Sequence, residues 1–270
     1  MKNPEPTAAQ WLGSAARIVV KIGSSLLIDP ANRTPRAGWL AGLARDLVDL
    51  REAGATVIVV SSGAVALGWQ RLGMPRSTQL DRRQAAAAIG QSLLMNAWAA
   101  AFAEHDVAVA QLLLTLQDSE SRERSANAQA TLAVLLEAGA VPVVNENDSV
   151  ATEELKLGDN DRLSARVAEL AGADLLLLLS DVDGLYDRDP REAGARHVGY
   201  VSSIDEDIVA MAGGTQAHGV GTGGMATKIA AARHAGALGC RTIIASGRED
   251  HPIHRLAEGA RATLFAPADP

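Results

Sequence analysis

The stretch 174-DLLLLLSDVDG-184 sets five leucines in succession between an aspartate and a knot of serine, acids and glycine. A half-exposed strand would alternate apolar and polar residues, and a surface helix would interrupt the run every three or four. A continuous aliphatic run of strand length, closed by turn residues, reads as a strand buried on both faces. Such strands belong to mainly parallel sheets whose two faces are both covered by helices.

The same grammar recurs along the 270 residues: "RIVVKI" (17–22), "TVIVV" (56–60), "VAVAQLLL" (107–114), "AVPVV" (140–144) and "RTIIA" (241–245). Between these runs lie alanine-rich segments with helical spacing, at 84–104, 124–138, 161–171 and 225–238. In "DRLSARVAEL" Leu163, Val167 and Leu170 fall on one helical face. "EAGA" precedes two strands and "LAGAD" a third, which places glycines at helix C-termini leading into αβ loops. The alternation predicts an α/β fold: a three-layer α/β/α sandwich around a mainly parallel central sheet. Neither a solenoid period nor a Pro/Ser-rich linker divides the chain, so one domain over 17–266 is expected, after a frayed N-terminal segment 1–16.

Composition narrows the function. The formal net charge is -7 with no basic run, which argues against nucleic acid or an anionic membrane as partner. One cysteine, Cys240, forbids an intrachain disulfide and fits a reducing compartment. The N-terminus lacks the apolar core of a signal peptide, and the strongly apolar run 175–179 is far short of a membrane span. A cytoplasmic protein is expected. No metal-ligand cluster is visible; the HxxH of His251 and His254 reads as an ordinary loop or helix.

Ligands of open α/β sheets bind beyond the carboxyl ends of the strands. Four strand ends here carry "KIGSS", "SSGA", "NEND" and "SDVDG", which predicts one polar, preformed site along that edge. Lys21 before Gly23 is either a lysine snorkelling from a strand or a phosphate contact beside exposed backbone N–H groups. Ser62-Gly63 is either a plain serine N-cap or an anion site at a helix start. In "GVGTGGMATK" (219–228) Gly219, Gly221 and Gly224 satisfy G-x-G-x-x-G, but no strand precedes them, so a dinucleotide fingerprint is rejected. A glycine loop running into a helix with Lys228 in its first turn remains, as a mobile surface loop or a phosphate clamp. Asp183-Gly184 and Asp189-Pro190 are turn dipeptides, whereas Ser180 and Asp181 have no such explanation. The densest cluster is "VPVVNENDSVATEELKLGDND" (141–161), with seven acids and amides in two knots.

In their order, "VVKIGSS", "VVSSGAVALG", "AQLLLT", "VNENDSVATEELKLGDNDRLSA", "LLLLLSDVDGLYDRDP" and "GTGGMATK" resemble the amino acid kinase family, with "ATLF" near the end fitting too. The closest resemblance is to the branch that phosphorylates glutamate; "NENDSVAT" joined to "GDNDRLSA" is specific to it. The resemblance implies transfer of phosphate from ATP, with Mg²⁺ carried on the ATP phosphates, to the γ-carboxylate of L-glutamate, the first step of proline synthesis. It implies that Lys21 and Lys228 bracket the transferring group and that Asp161 holds them. Ser62, Asp148, Asn160, Asn145 and Asp159 would bind glutamate. Lys21, Ser180, Asp181 and the run Thr222, Gly223, Gly224, Met225, Ala226, Thr227 and Lys228 would hold the nucleotide, with no metal-ligating side chain. Position 180 is often threonine in the family. Many members continue into a C-terminal PUA domain, which is expected to be lacking here.

The resemblance also implies hand-off of the labile product to a glutamate-5-semialdehyde dehydrogenase, feedback inhibition by proline, and a homodimer or homotetramer. A sibling kinase acting on acetylglutamate or an isoprenoid phosphate is the alternative enzyme; a non-catalytic amino-acid sensor is the alternative of another class. Chemistry is consistent with the kinase. A glutamate side chain of ordinary pKa about 4.3 is already ionised, so no general base is needed. Positive charge and positioning are what the transfer of one anion to another requires. The stretch between the two knots, "SVATEELKL", is expected to cross the site as a flap. Glu146 and Asn147 have no role beyond satisfying the loop's own backbone.

Overall fold

The computed structural model describes residues 5–115, 117–118, 121–151, 160–213 and 224–268. Its centre is an eight-stranded sheet in the order β3 (Val109–Leu114), β4 (Val141–Glu146), β2 (Thr56–Ser61), β1 (Arg17–Ile22), β5 (Leu175–Ser180), β9 (Arg241–Ser246), β10 (Ala262–Phe265), β8 (Tyr200–Val201). Every neighbouring pair is parallel except β10 against β9. A two-stranded hairpin of β6 (Leu185–Tyr186) and β7 (His197–Val198) stands outside it. All six sequence-read strands are present. The antiparallel β10 and the short β6–β8 are additions, too brief for the period of their side chains to show.

The continuous apolar runs have the cause expected of them: successive side chains enter two different cores. Ile18, Val20 and Ile22 of β1, with Leu175, Leu177 and Leu179 of β5, face one cluster. That cluster includes Leu40, Leu43 and Leu47 of α3 (Ala37–Glu52) and Leu94, Trp98 and Phe102 of α5 (Leu80–Phe102). Val19, Leu176 and Leu178 face the other, with Leu163 and Val167 of α7 (Asn160–Ala171) and Ile229 and Ala232 of α9 (Met225–Gly236). Helices on both faces make the three layers. Helix α5 is long and apolar enough by length and composition to cross a membrane, a property the strand runs did not show. Its Leu94, Trp98 and Phe102 are instead buried within this fold.

Three further elements matter for the site. The turn after β2 leads into α4 (Ala64–Leu72), which crosses α5 with backbone touching backbone. A Cβ on Gly68 would lie 1.7 Å from the Ala86 carbonyl oxygen, and one on Gly90 would lie 1.7 Å from that of Ala64. Only glycines permit this approach, which brings α5 beside the strand-to-helix turn at Ser62. Gly54 and Gly139 of the two "EAGA" segments have φ of +99° and +73°, the left-handed geometry of helix ends before β2 and β4. On the outer edge, β3 is only partly covered, and α6 (Arg122–Glu137) buries one side chain, Leu132.

Candidate active site

Because β1, β2, β4 and β5 are parallel, Lys21, Ser61, Asn145 and Ser180 all fall at one edge of the sheet. Strand parity then decides which side each side chain takes. Lys21 shares the face of Val19 and so points toward α7 and α9. Asn145 shares the face of Val143, and Ser61 that of Val59, toward α4 and α5.

On the first side lies a charge triad. Lys21 Nζ is 2.5 Å from Asp161 Oδ1, and Lys228 Nζ is 3.1 Å from Asp161 Oδ2. Asp161, in the first turn of α7, has no exposed surface, and the two lysine side chains are 6% and 5% exposed. Burial alone would raise the Asp161 pKa; the adjacent Lys21 and Lys228 ammonium groups outweigh it and hold the carboxyl below its ordinary value. The Thr227 hydroxyl lies 2.8 Å from Asp161 Oδ2 and 2.8 Å from the Gly224 carbonyl oxygen. The backbone carbonyl of Asp161 accepts from the Ser164 hydroxyl at 2.6 Å. Among the described residues two buried lysines thus share one buried carboxylate at the carboxyl end of the sheet.

On the second side a chain of amides runs back from Asn160. Its Nδ2 lies 2.5 Å from Ser62 Oγ, 3.2 Å from Asn145 Oδ1 and 3.3 Å from the Ser61 carbonyl oxygen. Asn145 Oδ1 also accepts from the Glu146 N–H at 2.9 Å, and its Nδ2 donates to Gln91 Oε1 at 2.9 Å. Asn145 is 2% exposed, so it works from inside the wall, tying α5 to α7 across β4. Ser61 is buried and accepts from Trp98 Nε1 at 3.0 Å. Ser62 is not a helix cap: Gly63, with φ of +110°, occupies that position, and Ser62 Oγ serves Asn160.

Beside this chain opens a cavity of 240 Å³ between α4, α5 and the loop after β4. Asp148 lines it, as do Glu146, Asn147, Gln91 and Gln111, and among the described residues no lysine or arginine contributes to its wall. Glu146 and Asn147 thus belong to a cavity wall, which the sequence reading did not anticipate. Gln91 and Gln111 were missed for the same reason: each is a single amide in an apolar segment. The available signal was Gly90, a glycine in mid-helix, which costs about 1 kcal/mol against alanine and so marks a close contact.

At the end of β5 the buried Ser180 hydroxyl lies 3.2 Å from Asp181 Oδ1, and Arg248 Nε donates to the Asp181 carbonyl oxygen at 2.7 Å. Gly224, Met225, Ala226, Thr227 and Lys228 open α9, with Met225 and Lys228 buried. Asp159, Thr222 and Gly223, and with them Gly219 and Gly221 and most of the expected flap, lie outside the described residues. Of the HxxH pair, His251 Nδ1 meets the buried Asp46 carboxylate at 2.8 Å, and Asp46 accepts from the Ile253 N–H at 2.9 Å. Among the described residues no group of three or more His, Cys, Asp or Glu converges.

The model of the amino acid kinase family matches residues 16–246. The chain is 56% identical over 255 residues to the glutamate 5-kinase of Caulobacter vibrioides, covering 93% of this chain and 68% of that protein. It is 52% identical over 262 residues to the glutamate 5-kinase of Gluconobacter oxydans, covering 96% and 69%. Among solved structures, carbamate kinase from Giardia lamblia bound to AMP-PNP superposes with a TM-score of 0.66 at 15% identity, covering 95% of this chain and all of that one. UMP kinase from Ureaplasma parvum gives 0.61 at 17% identity, covering 93% and 98%. At such identities these two speak for the fold alone.

Proposed function

The chain belongs to the amino acid kinase family, and on that premise we propose that it transfers the γ-phosphoryl group of ATP to the γ-carboxylate of L-glutamate. The product is L-glutamyl 5-phosphate, and the reaction opens proline biosynthesis. The observation that carries the chemistry is the pair of buried lysines on one buried carboxylate. The acceptor follows from the relatives, which are glutamate 5-kinases at more than half identity over nearly the whole chain.

The reaction joins two anions, so its barrier is set by repulsion and alignment. Lys21 and Lys228 supply fixed positive charge where the phosphoryl oxygens gather negative charge in the transition state. Asp161 keeps the two ammonium groups apart and aimed, and so acts as a positioning residue that takes no proton. Lys228 sits in the first turn of α9, where free backbone N–H groups add to the attraction for phosphate. Ser180 and Asp181, with the segment Thr222 to Lys228, hold the nucleotide on this reading. ATP as donor is supported by the AMP-PNP bound to the carbamate kinase of the same fold.

Magnesium fits as an ion carried by ATP. Both Asp161 oxygens already face lysines, and no protein cage is present among the described residues. A hard cation that keeps phosphate and water ligands needs none, and it supplies further charge neutralisation at the phosphates.

Glutamate is held on the other side of Asn160. Asp148, in the cavity wall, meets the ammonium group; Ser62 and Asn160 orient the chain so that the γ-carboxylate reaches the lysines. Asp159 is assigned to the same site by position in the motif. Hand-off of the acyl phosphate to a glutamate-5-semialdehyde dehydrogenase, inhibition by proline, and a cytoplasmic setting go with this assignment. Self-association through the open β3 edge and α6 suits the thin cover both have. The test is direct: with ATP, Mg²⁺, L-glutamate and hydroxylamine, the chain should form γ-glutamyl hydroxamate. ATP turnover with acetylglutamate and none with glutamate would overturn the reading.

A further inference from the structure

Gln91 stands out among the polar groups of the molecule. It is 8% exposed, lies on α5, and forms part of the cavity wall beside Glu146 and Asp148. Its Nε2 is buried and has no hydrogen-bond partner among the described residues. A buried amide N–H left unmade is destabilising, so a native structure retains one where something else comes to meet it.

The orientation of that amide is forced. Asn160 Nδ2 must present its hydrogens to the Ser61 carbonyl oxygen, so it is the nitrogen that reaches Asn145. Asn145 therefore turns its oxygen to Asn160 and to the Glu146 N–H, and only its Nδ2 remains for Gln91. Gln91 answers with Oε1 and is left with Nε2 as its free end. Three consecutive amides transmit one orientation from the helix that carries Asp161 to the wall of the cavity. Among the described residues the wall carries two carboxylates, amides and hydroxyls, and no cation. An amino acid placed there can give its ammonium group to the acids, and the described wall offers its α-carboxylate neutral donors.

We propose that Gln91 is a specificity-determining residue whose Nε2 donates to the α-carboxylate of the acceptor amino acid. This rests on the reading that glutamate is the acceptor, and it adds the group that distinguishes a free α-carboxylate from an amidated one. The cavity, at 240 Å³, has room for a ligand the size of one amino acid.

The test replaces the donor with an acceptor of the same shape. In the full chain Gln91→Glu should raise KM for L-glutamate on the order of tenfold or more, with KM for ATP and the Tm held close to wild type. The same variant should gain on L-isoglutamine, whose α-carboxamide can donate to the new carboxylate while its γ-carboxylate is free for transfer. The ratio of kcat/KM for isoglutamine to that for glutamate should rise on the order of tenfold or more. Gln91→Met, which keeps length and packing, should raise KM for glutamate without improving isoglutamine, and it serves if the Glu variant does not fold. Unchanged KM and an unchanged substrate ratio would overturn the proposal, leaving Gln91 to hold a water. Equal rises in both KM values with a lowered Tm would overturn it too, because the role would then be structural. Should the wild-type chain form no glutamyl hydroxamate, the assignment of the reaction fails instead. Thermal shifts of wild type and Gln91→Glu with glutamate and with isoglutamine then decide the Gln91 question alone: a preference that inverts supports it, and one that does not refutes it.

Discussion

Asp161→Asn removes one charge and almost no volume, and its consequences follow from burial. In the wild type a carboxylate with no exposed surface neutralises two ammonium groups that are themselves nearly buried. Asparagine leaves both buried lysines without the carboxylate they share. Breaking a buried pair typically costs about 3–5 kcal/mol, out of a total stability of roughly 5–15 kcal/mol. For a chain of this size that corresponds to a Tm drop of roughly 6–20 °C. Because the folded pKa of Asp161 is depressed, its stabilisation is complete above the unfolded value of about 3.9 and is lost as pH falls through the lower folded value. The gap between variant and wild type should therefore be constant between pH 6 and pH 8 and close below about pH 4. Nucleotide gives the second arm of the assay. Phosphates bring the missing negative charge, so ATP should raise the Tm of the variant by more than it raises that of the wild type. Scanning calorimetry of both proteins, with and without MgATP, reads all of this. A drop below about 2 °C, or a nucleotide shift no larger than the wild type's, would refute the account of Asp161 as the counter-charge of both lysines.

Lys228→Ala should lower kcat by on the order of 10²-fold or more with little change in KM for glutamate, measured by steady-state hydroxamate formation. Unchanged turnover would remove Lys228 from transition-state stabilisation. Asp148→Ala should raise KM for glutamate while KM for ATP stays within about twofold, because a partner of the substrate ammonium is lost on one side of the site only. Gly90→Ala drives a Cβ to 1.7 Å from the Ala64 carbonyl oxygen. It should lower stability by about 1–3 kcal/mol or more, seen as a reduced urea midpoint, and should raise KM for glutamate by displacing the neighbouring Gln91.

The fold was legible because its strongest signals are local. Runs such as 175–179 feed alternate leucines into two cores, and nothing but a strand covered on both faces accommodates them. Strand ends were legible too, since the residues that leave a parallel sheet on its carboxyl edge stand next to the apolar run in the chain. What the sequence did not disclose depends on the face a strand residue takes and on what waits there. Asn145 and Asp148 are three residues apart and both polar; one is locked inside a wall by three hydrogen-bonding groups, and the other lines a cavity. Gln91 sits in "AAAAIGQSLL", where neither periodicity nor composition separates it from a surface glutamine. Its place is fixed by two glycines, Gly68 and Gly90, that let helices touch through their backbones, and pairing across a helix crossing leaves no local trace.

Parity also explains why the site has two unlike halves. Lys21 and Asn145 end neighbouring parts of one sheet but take opposite faces, so cations collect toward α7 and α9 while amides collect toward α4 and α5. Asn160 and Asp161 are consecutive residues at the start of α7, and they reach the two halves separately: the amide to Ser62 and Asn145, the carboxylate to Lys21 and Lys228. On the proposed assignment, one helix terminus thus sets the distance between the amino-acid side and the phosphate side of the site. A shift of that terminus changes both at once. On the proposed assignment the coupling of a buried carboxylate to two lysines also keeps the acceptor in register with the transferring group, and Asp161→Asn should raise KM for glutamate in addition to lowering kcat.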